Sequence, residues 1–116
     1  MEPNSRNLAS IWDMREAIRE IQEDTAGLTY EGFENNRTVR RAVERNFEIL
    51  GEAGARVSEE FRQQHSEIDW RKIIGLRNII IHRYEKVDAE MLWEIIVSIL
   101  PALSNQLEQL YEELES

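Results

Sequence analysis

The stretch that decides the fold is the most apolar run in a charged chain, Trp70-Arg71-Lys72-Ile73-Ile74-Gly75-Leu76-Arg77-Asn78-Ile79-Ile80-Ile81-His82-Arg83-Tyr84 (residues 70–84). Placed on a helix at about 100° per residue, this run is apolar nearly all round. Such a helix lies at the centre of its domain or is covered by another chain. The polar groups within the run must therefore be hydrogen-bonded together, face a partner or line a site. These groups are Arg77, Asn78, His82 and Tyr84.

The run is predicted to be helical although residues 78–84 contain three consecutive isoleucines, which favour extended structure. No second strand is available elsewhere in the chain to pair with a strand at this position. Outward from the run, apolar residues recur at helical spacing on both sides. The connector at residues 28–33 is expected to plug one end of the core with its aromatic side chains. The predicted helices begin at caps supplied by Asn4 or Ser5, Asn36, Ser58, Asp69 and Asp88.

These elements predict one all-α domain over residues 1–116, an antiparallel bundle of four to five helices joined by short links. Pro101 is expected to bend the last helix because proline lacks a backbone donor. Gly51 and Gly54 fall within one turn of the helix that follows Asn36, where glycine is unfavourable. The pair indicates that another backbone approaches closely, and a second subunit is one candidate.

The composition of the 116-residue chain excludes several classes of protein. The chain has no cysteine and only two histidines, so disulfides, thiolate metal sites and a His-rich metal cluster are excluded. No apolar segment reaches the roughly 18 residues that span a bilayer, and no signal-peptide pattern is present, so the cytoplasm is the expected compartment. The net charge of −9 argues against wrapping of duplex DNA but leaves room for a local basic cleft.

Two of the polar residues in the run suit cleavage of an RNA phosphodiester without a metal. A histidine such as His82 titrates near neutral pH and can move a proton to or from a 2′-hydroxyl or a 5′-leaving oxygen. The planar guanidinium of Arg77 can bind phosphate and stabilise the charge that develops on it. On an ideal helix the two residues lie about 140° apart, so a local bulge or a twofold axis would have to bring them together.

Without further information, the residue types favour structural roles over catalysis. Arg77, Asn78 and His82 could form a structural network at a helix interface, and Tyr84 could be an ordinary tyrosine at the rim of the core. Asn46 lies in the middle of the apolar face that follows Asn36. It is predicted to be either a buried amide bonded to a neighbouring backbone or an interface or site residue.

Three blocks of the sequence carry a family resemblance. Residues 77–84 match the pattern Arg-x-x-x-x-His-x-Tyr, residues 42–53 read Ala-Val-Glu-Arg-Asn-Phe-Glu-Ile-Leu-Gly-Glu-Ala, and residues 68–78 lead into the motif. Together they resemble HepT, a toxin of the HEPN ribonuclease superfamily. The resemblance implies a HEPN-like, homodimeric helical bundle in which two motif copies share a cleft at the dimer interface.

The resemblance also implies a function. Arg77 and His82 would be the catalytic pair of a metal-independent endoribonuclease toxin in a HEPN/MNT toxin–antitoxin system, and Asn78 would be a supporting polar residue. Tyr84 would be modified with AMP by the cognate antitoxin, a minimal nucleotidyltransferase of the MntA type. The added phosphate would place negative charge where RNA should bind. The implied partners are RNA, the nucleotidyltransferase and a second copy of the chain, with larger assemblies open, and no cofactor or membrane is implied.

One further residue and two rival functions complete the expectations. Glu52 is similar to the acidic residue of the family's Gly-Glu-Ala block, its role is open, and a helical wheel places it on the polar face. One rival function is a non-catalytic helical partner and modification substrate of a nucleotidyltransferase. The other is an inert helical dimer in which Arg77 and His82 only hold the interface.

Overall fold

A computed structural model describes residues 3–81 and 89–115, and within these ranges seven helices follow one another without a strand. Five of the seven have ten or more residues, which agrees with the predicted all-α class and helix number. The helices are α1 (Pro3–Thr25), α2 (Tyr30–Glu34), α3 (Arg37–Arg56), α4 (Glu59–Gln64), α5 (Trp70–Ile81), α6 (Ala89–Ser98) and α7 (Leu100–Glu115).

Side-chain caps start three of the helices where the sequence predicts them. Asn36, Ser58 and Asp69 each accept a hydrogen bond from the backbone N–H three residues further on, at 3.0–3.2 Å. Each cap satisfies one of the amide donors that the first turn of a helix leaves unpaired. The predicted cap Asp88 lies outside the described residues. Helices α3, α4 and α5 therefore begin at residues that the local sequence selects.

Three boundaries differ from the predictions. Helix α1 begins at Pro3, so Asn4 and Ser5 lie inside its first turn, where proline is tolerated. The predicted connector contains the short helix α2, capped by the Thr29 side chain. The last helix is broken at Ile99 into α6 and α7 rather than only bent. Pro101 explains the break, because it cannot donate the hydrogen bond that a continuous helix needs at that position.

Contacts between side chains show that neighbouring long helices run antiparallel. Asn7 of α1 bonds to Ser58 just beyond the end of α3, whereas the later α1 residue Asp13 pairs with the earlier Arg56 at 2.9 Å. Helices α1 and α7 are related in the same way, because Arg15 binds Glu108 while the earlier Trp12 packs on the later Tyr111. The predicted antiparallel bundle is thus confirmed.

The core lies between α3 and the helices that flank it. Helix α3 packs against α1 on one side and α5 on the other, and α1 also packs against α7. Phe47 of α3 is fully buried, and Phe33 of α2 is fully buried where it packs against Trp93 of α6. The segment predicted to be a connector therefore does plug the core with an aromatic ring. Among the described helices, none is long and apolar enough to cross a membrane.

Over residues 70–78, helix α5 buries apolar side chains on one side and exposes polar ones on the rest of its surface. This differs from the expectation of a helix that is apolar nearly all round. Trp70, Ile73 and Leu76 are buried, whereas Arg71, Lys72, Arg77 and Asn78 are exposed. Of the predicted site residues, Arg77 and Asn78 are among these exposed side chains.

Replacement of the core ring at Phe47 tests this packing. We expect Phe47→Ala to lower the free energy of unfolding by about 3–5 kcal/mol, because it removes a fully buried aromatic side chain and leaves a cavity. The matched control is Thr38→Ala at an exposed position of the same helix, which should change stability by less than about 0.5 kcal/mol. Urea unfolding followed by helical circular dichroism measures both, and equal effects would contradict the described core.

Candidate active site

The site is organised around a close contact between α3 and α5. A Cβ atom built on Gly51 would lie 3.0 Å from the Cβ of Arg77, 3.1 Å from its backbone nitrogen and 3.2 Å from the carbonyl oxygen of Ile73. One turn further along α3, a Cβ on Gly54 would lie 3.3 Å from the Cγ2 of Ile73. The two helices can pack this closely because α3 presents glycine at both positions.

This contact identifies the backbone that the glycine pair was predicted to admit. The sequence left a second subunit as one candidate, and the structure shows that the partner is α5 of the same chain. Helix α5 passes the two glycines in the antiparallel sense, with Arg77 beside Gly51 and Ile74 beside Gly54. The backbone of Arg77 is therefore fixed by packing against α3.

The side chains of Arg77 and Asn78 are both exposed. Among the described residues, none forms a salt bridge with the guanidinium of Arg77. An arginine with a fixed backbone and an accessible charge can present its fork of N–H donors to a phosphate. The interface network that was the rival interpretation is not formed between Arg77 and the residues described around it.

The other two residues of the motif, His82 and Tyr84, lie outside the described residues. The predicted convergence of Arg77 and His82 and the predicted modification of Tyr84 with AMP therefore stay predictions.

The two residues with open roles lie on α3 near the glycine contact. Asn46 is buried, with 8% of its surface exposed, as predicted for an amide in the apolar face. Glu52 follows Gly51 directly and is half-buried, so it is more covered than its position on the polar face of a helical wheel suggested. Both predicted roles in the site stay open, although Glu52 is adjacent in sequence to the residue that contacts Arg77.

A groove of about 870 Å³ opens beside Asn78. One wall is formed by α4 and the loop that follows it, and the other by the exposed side of α5. Its polar and small lining residues include Arg62 and Ser66 from the first wall, and Arg71, Gly75 and Asn78 from the second. The groove therefore joins a predicted site residue to basic residues that the sequence analysis did not single out.

An aromatic cluster holds the two walls of this groove together. The Phe61 ring of α4 lies 4.4 Å from the His65 ring and 6.5 Å from the Trp70 ring of α5, measured between centroids. The indole N–H of Trp70 donates a hydrogen bond to the carbonyl oxygen of His65 at 2.9 Å. His65 is thus half-buried against Phe61.

The acidic residues along the groove have local roles. Asp69 caps α5, and Glu67 lies 3.5 Å from the Nδ1 of His65. Glu59 stands in the first turn of α4, where a carboxylate is favoured by the helix dipole. Within residues 3–81 and 89–115, no group of three or more potential metal-binding side chains converges.

Helical spacing could have identified the basic residues of the groove in part. Arg71, Gly75 and Asn78 are separated by four and three residues, so they form one stripe on α5. Arg62 could not be found in this way because it reaches the groove from α4, across the loop at residues 65–69.

Comparisons with known proteins give this arrangement a family context. A family model described as ribonuclease HepT-like matches residues 14–110, a span that contains every residue of the site. A Methanocaldococcus jannaschii protein that carries an RNase name is 35% identical over 100 residues, which cover 86% of this chain and 92% of the relative. A Thermococcus cleftensis protein that carries the name ribonuclease HepT is 36% identical over 98 residues, covering 84% and 89%. No solved structure matches the chain at a significant level.

Alanine substitutions at two helical glycines are expected to change stability in opposite directions. Gly51→Ala should lower the free energy of unfolding by about 1–3 kcal/mol, because the added methyl group meets the backbone of α5. Gly75→Ala is the matched control, since its Cβ would meet nothing within 4 Å, and it should raise stability by roughly 0.5–1 kcal/mol. Thermal and urea unfolding of both variants measure the difference, and a stabilising Gly51→Ala would show that the close approach is wrong.

Proposed function

From the premise that this chain belongs to the HepT-like ribonuclease family and is an RNA-cleaving enzyme, we propose that it is a metal-independent endoribonuclease toxin that uses Arg77 and His82. The observation that carries the proposal is the position of Arg77. Its backbone is fixed against Gly51, its side chain is exposed, and no described residue neutralises its charge by a salt bridge. Such a cation is arranged to meet an anionic group of a ligand.

The proposed reaction uses the nucleophile that RNA itself supplies. The 2′-oxygen forms a bond to the adjacent phosphorus while the bond from phosphorus to the 5′-oxygen breaks. The products are a 2′,3′-cyclic phosphate and a free 5′-hydroxyl. One proton leaves the 2′-hydroxyl and one is delivered to the 5′-oxygen. An imidazole that titrates near neutral pH is suited to both transfers, so His82 is assigned the proton transfer.

Arg77 is assigned the stabilisation of negative charge on the phosphate. Negative charge accumulates on the non-bridging oxygens as the phosphorus becomes five-coordinate. A guanidinium held at a fixed backbone position stabilises that charge without having to reorganise. Asn78, adjacent to Arg77 and exposed at the end of the groove, is proposed to hydrogen-bond to the substrate.

A homodimer with two motif copies in one cleft completes the proposal. Arg77 and His82 are about 140° apart on one ideal helix, and a twofold axis could bring Arg77 of one chain close to His82 of the other. Two copies of His82 in one cleft would also supply a neutral imidazole for the first proton and a protonated one for the second. This assembly follows from the family resemblance and from the geometry of the motif.

The proposed off-switch is the transfer of AMP to Tyr84 by an MntA-type nucleotidyltransferase, the antitoxin of the pair. The modification would add a phosphodiester with a negative charge two residues from His82. Negative charge at that distance repels the phosphates of RNA and adds bulk in the cleft. The same enzyme would bind this chain if it were only a modification substrate, so the two functions are separated by measuring cleavage.

Cleavage of RNA in the presence of EDTA tests the catalytic assignment. His82→Ala should lower kcat by about 10²–10⁴-fold, as for loss of a general acid–base, and Arg77→Ala by about 10²–10³-fold. Arg37→Ala is the matched control, because it removes the charge of an exposed arginine at the start of α3 and should leave kcat unchanged. An RNA with a 2′-deoxy sugar at the cleaved position should resist the enzyme. Full activity of folded His82→Ala would overturn the assignment.

Incubation with the cognate nucleotidyltransferase and ATP tests the off-switch. Intact mass spectrometry should show added AMP on the parent protein and on Tyr111→Phe, but none on Tyr84→Phe, since the chain has three tyrosines that can be compared. The modified parent should lose RNA cleavage. Addition of AMP to Tyr84→Phe would show that the assigned site is wrong, and modification of a parent protein that never cleaves RNA would favour the binding-partner function.

A further inference from the structure

The α4–α5 groove runs along α5 from Asn78 toward Arg71, and Arg77, the neighbour of Asn78 in sequence, is not one of its lining residues. Arg71 and Asn78, which both line it, are seven residues apart, so they lie on nearly the same line of the helix and about 10 Å apart along its axis. A ligand that occupies the groove at Asn78 therefore continues toward Arg71. The groove has the length for more than a single phosphate.

Two cations of the groove are not neutralised by ion pairs. Among the described residues, none forms a salt bridge with Arg62 or Arg71. The Nε of Arg62 is buried and has no hydrogen-bond acceptor within the described part of the chain. A half-buried arginine without a carboxylate keeps a charge that a bound anion can neutralise.

The groove is also lined by acidic residues. The three carboxylates are Glu59, Glu67 and Asp69. Glu59 lies in the first turn of α4, Glu67 lies 3.5 Å from the Nδ1 of His65, and Asp69 caps α5. With two arginines and three carboxylates the lining is not basic overall, so its contacts with phosphates are the local ones that Arg62 and Arg71 can make.

The groove also has room for a nucleotide. A Cβ on Gly75 would meet nothing within 4 Å, so the exposed side of α5 is open between Arg71 and Asn78. The volume of about 870 Å³ lies within the range of sites that hold small ligands. The exposed large apolar side chains of the described residues, Trp12 and Val97, do not line the groove, which disfavours a protein partner here.

We propose that the α4–α5 groove binds the part of a single-stranded RNA that adjoins the scissile phosphate, with Arg62 and Arg71 contacting its phosphates. The inference rests on the proposed function, because the groove ends at Asn78, the neighbour in sequence of Arg77, which the proposed function places at the cleaved bond. The groove then orients the strand, whereas the motif cleaves it. Neither Arg62 nor Arg71 touches the reacting atoms, so both are positioning residues.

Kinetics on long and short substrates test this role with the full chain. Arg62→Gln/Arg71→Gln should raise KM for a single-stranded oligoribonucleotide by about tenfold, since two charge-assisted hydrogen bonds are lost. The values of kcat for that substrate and kcat/KM for a dinucleotide, which is too short to enter the groove, should not change. The double variant Arg6→Gln/Arg19→Gln is the control, because it removes the same charge from exposed positions of α1.

The salt dependence of RNA binding supplies a second measurement, made on His82→Ala protein so that the RNA stays intact. Two lost phosphate contacts should reduce the slope of log Kd against log salt by roughly 1.4 for a single strand, and the α1 control should leave it unchanged. Arg71→Gln alone, at an exposed position, should reduce this slope by roughly 0.7. This single variant provides the test if Arg62→Gln lowers the stability of the fold.

The outcomes separate this inference from the proposed function. If the parent protein cuts RNA but the groove variants keep the parental KM and salt slope, the groove assignment is wrong and the motif assignment stands. If the parent does not cut RNA, the proposed function fails, and the binding slope still decides whether the groove holds RNA. Loss of dimerisation or of nucleotidyltransferase binding in the groove variants, with RNA binding unchanged, also overturns the inference.

Discussion

The contact between Gly51 of α3 and Arg77 of α5 is the constraint on which the rest of the site depends. A methyl group at Gly51 would come within 3.0 Å of the Arg77 side chain and 3.1 Å of its backbone, so the two helices lie as close as a missing side chain allows. This contact fixes the position of α5 along α3 and its rotation about its own axis. Arg77 lies at the edge of the packed face, since Ile73 is buried one turn earlier on nearly the same line of the helix, and the side chain of Arg77 is nevertheless exposed.

Helix α5 therefore packs with one face and exposes polar side chains on the rest of its surface. The free energy gained by burying Trp70, Ile73 and Leu76 holds in place a polar face that contributes little to stability by itself. The opening question about the polar residues of the apolar run is narrowed for two of them, since Arg77 and Asn78 are exposed in the single chain and can face a partner or line a site. The short helix α4 adds the second wall of the groove and is tied to α5 by the aromatic cluster of Phe61, His65 and Trp70.

Membership of the HepT-like ribonuclease family and the geometry of α5 support each other at the level of RNA cleavage. The family supplies the reaction class. The structure supplies an exposed Arg77 with its backbone fixed against Gly51, and a groove beside Asn78 whose Arg62 and Arg71 form no salt bridge with a described residue. An acidic protein with a net charge of −9 can bind an anionic strand when some of its arginines are accessible to phosphates and some of its acids are engaged in ion pairs. The Arg15–Glu108 and Arg56–Asp13 ion pairs are examples of such engagement away from the groove.

The sequence by itself determined the features that depend on neighbouring residues. It placed the starts of α3, α4 and α5 at Asn36, Ser58 and Asp69, because a cap acts on an amide only three residues away. Only the tertiary structure decided which backbone meets Gly51, that the last helix breaks at Ile99, and that Arg62 joins the stripe of Arg71 and Asn78. These features depend on how helices distant in sequence pack together, and a periodic pattern shows which face is buried without showing what covers it.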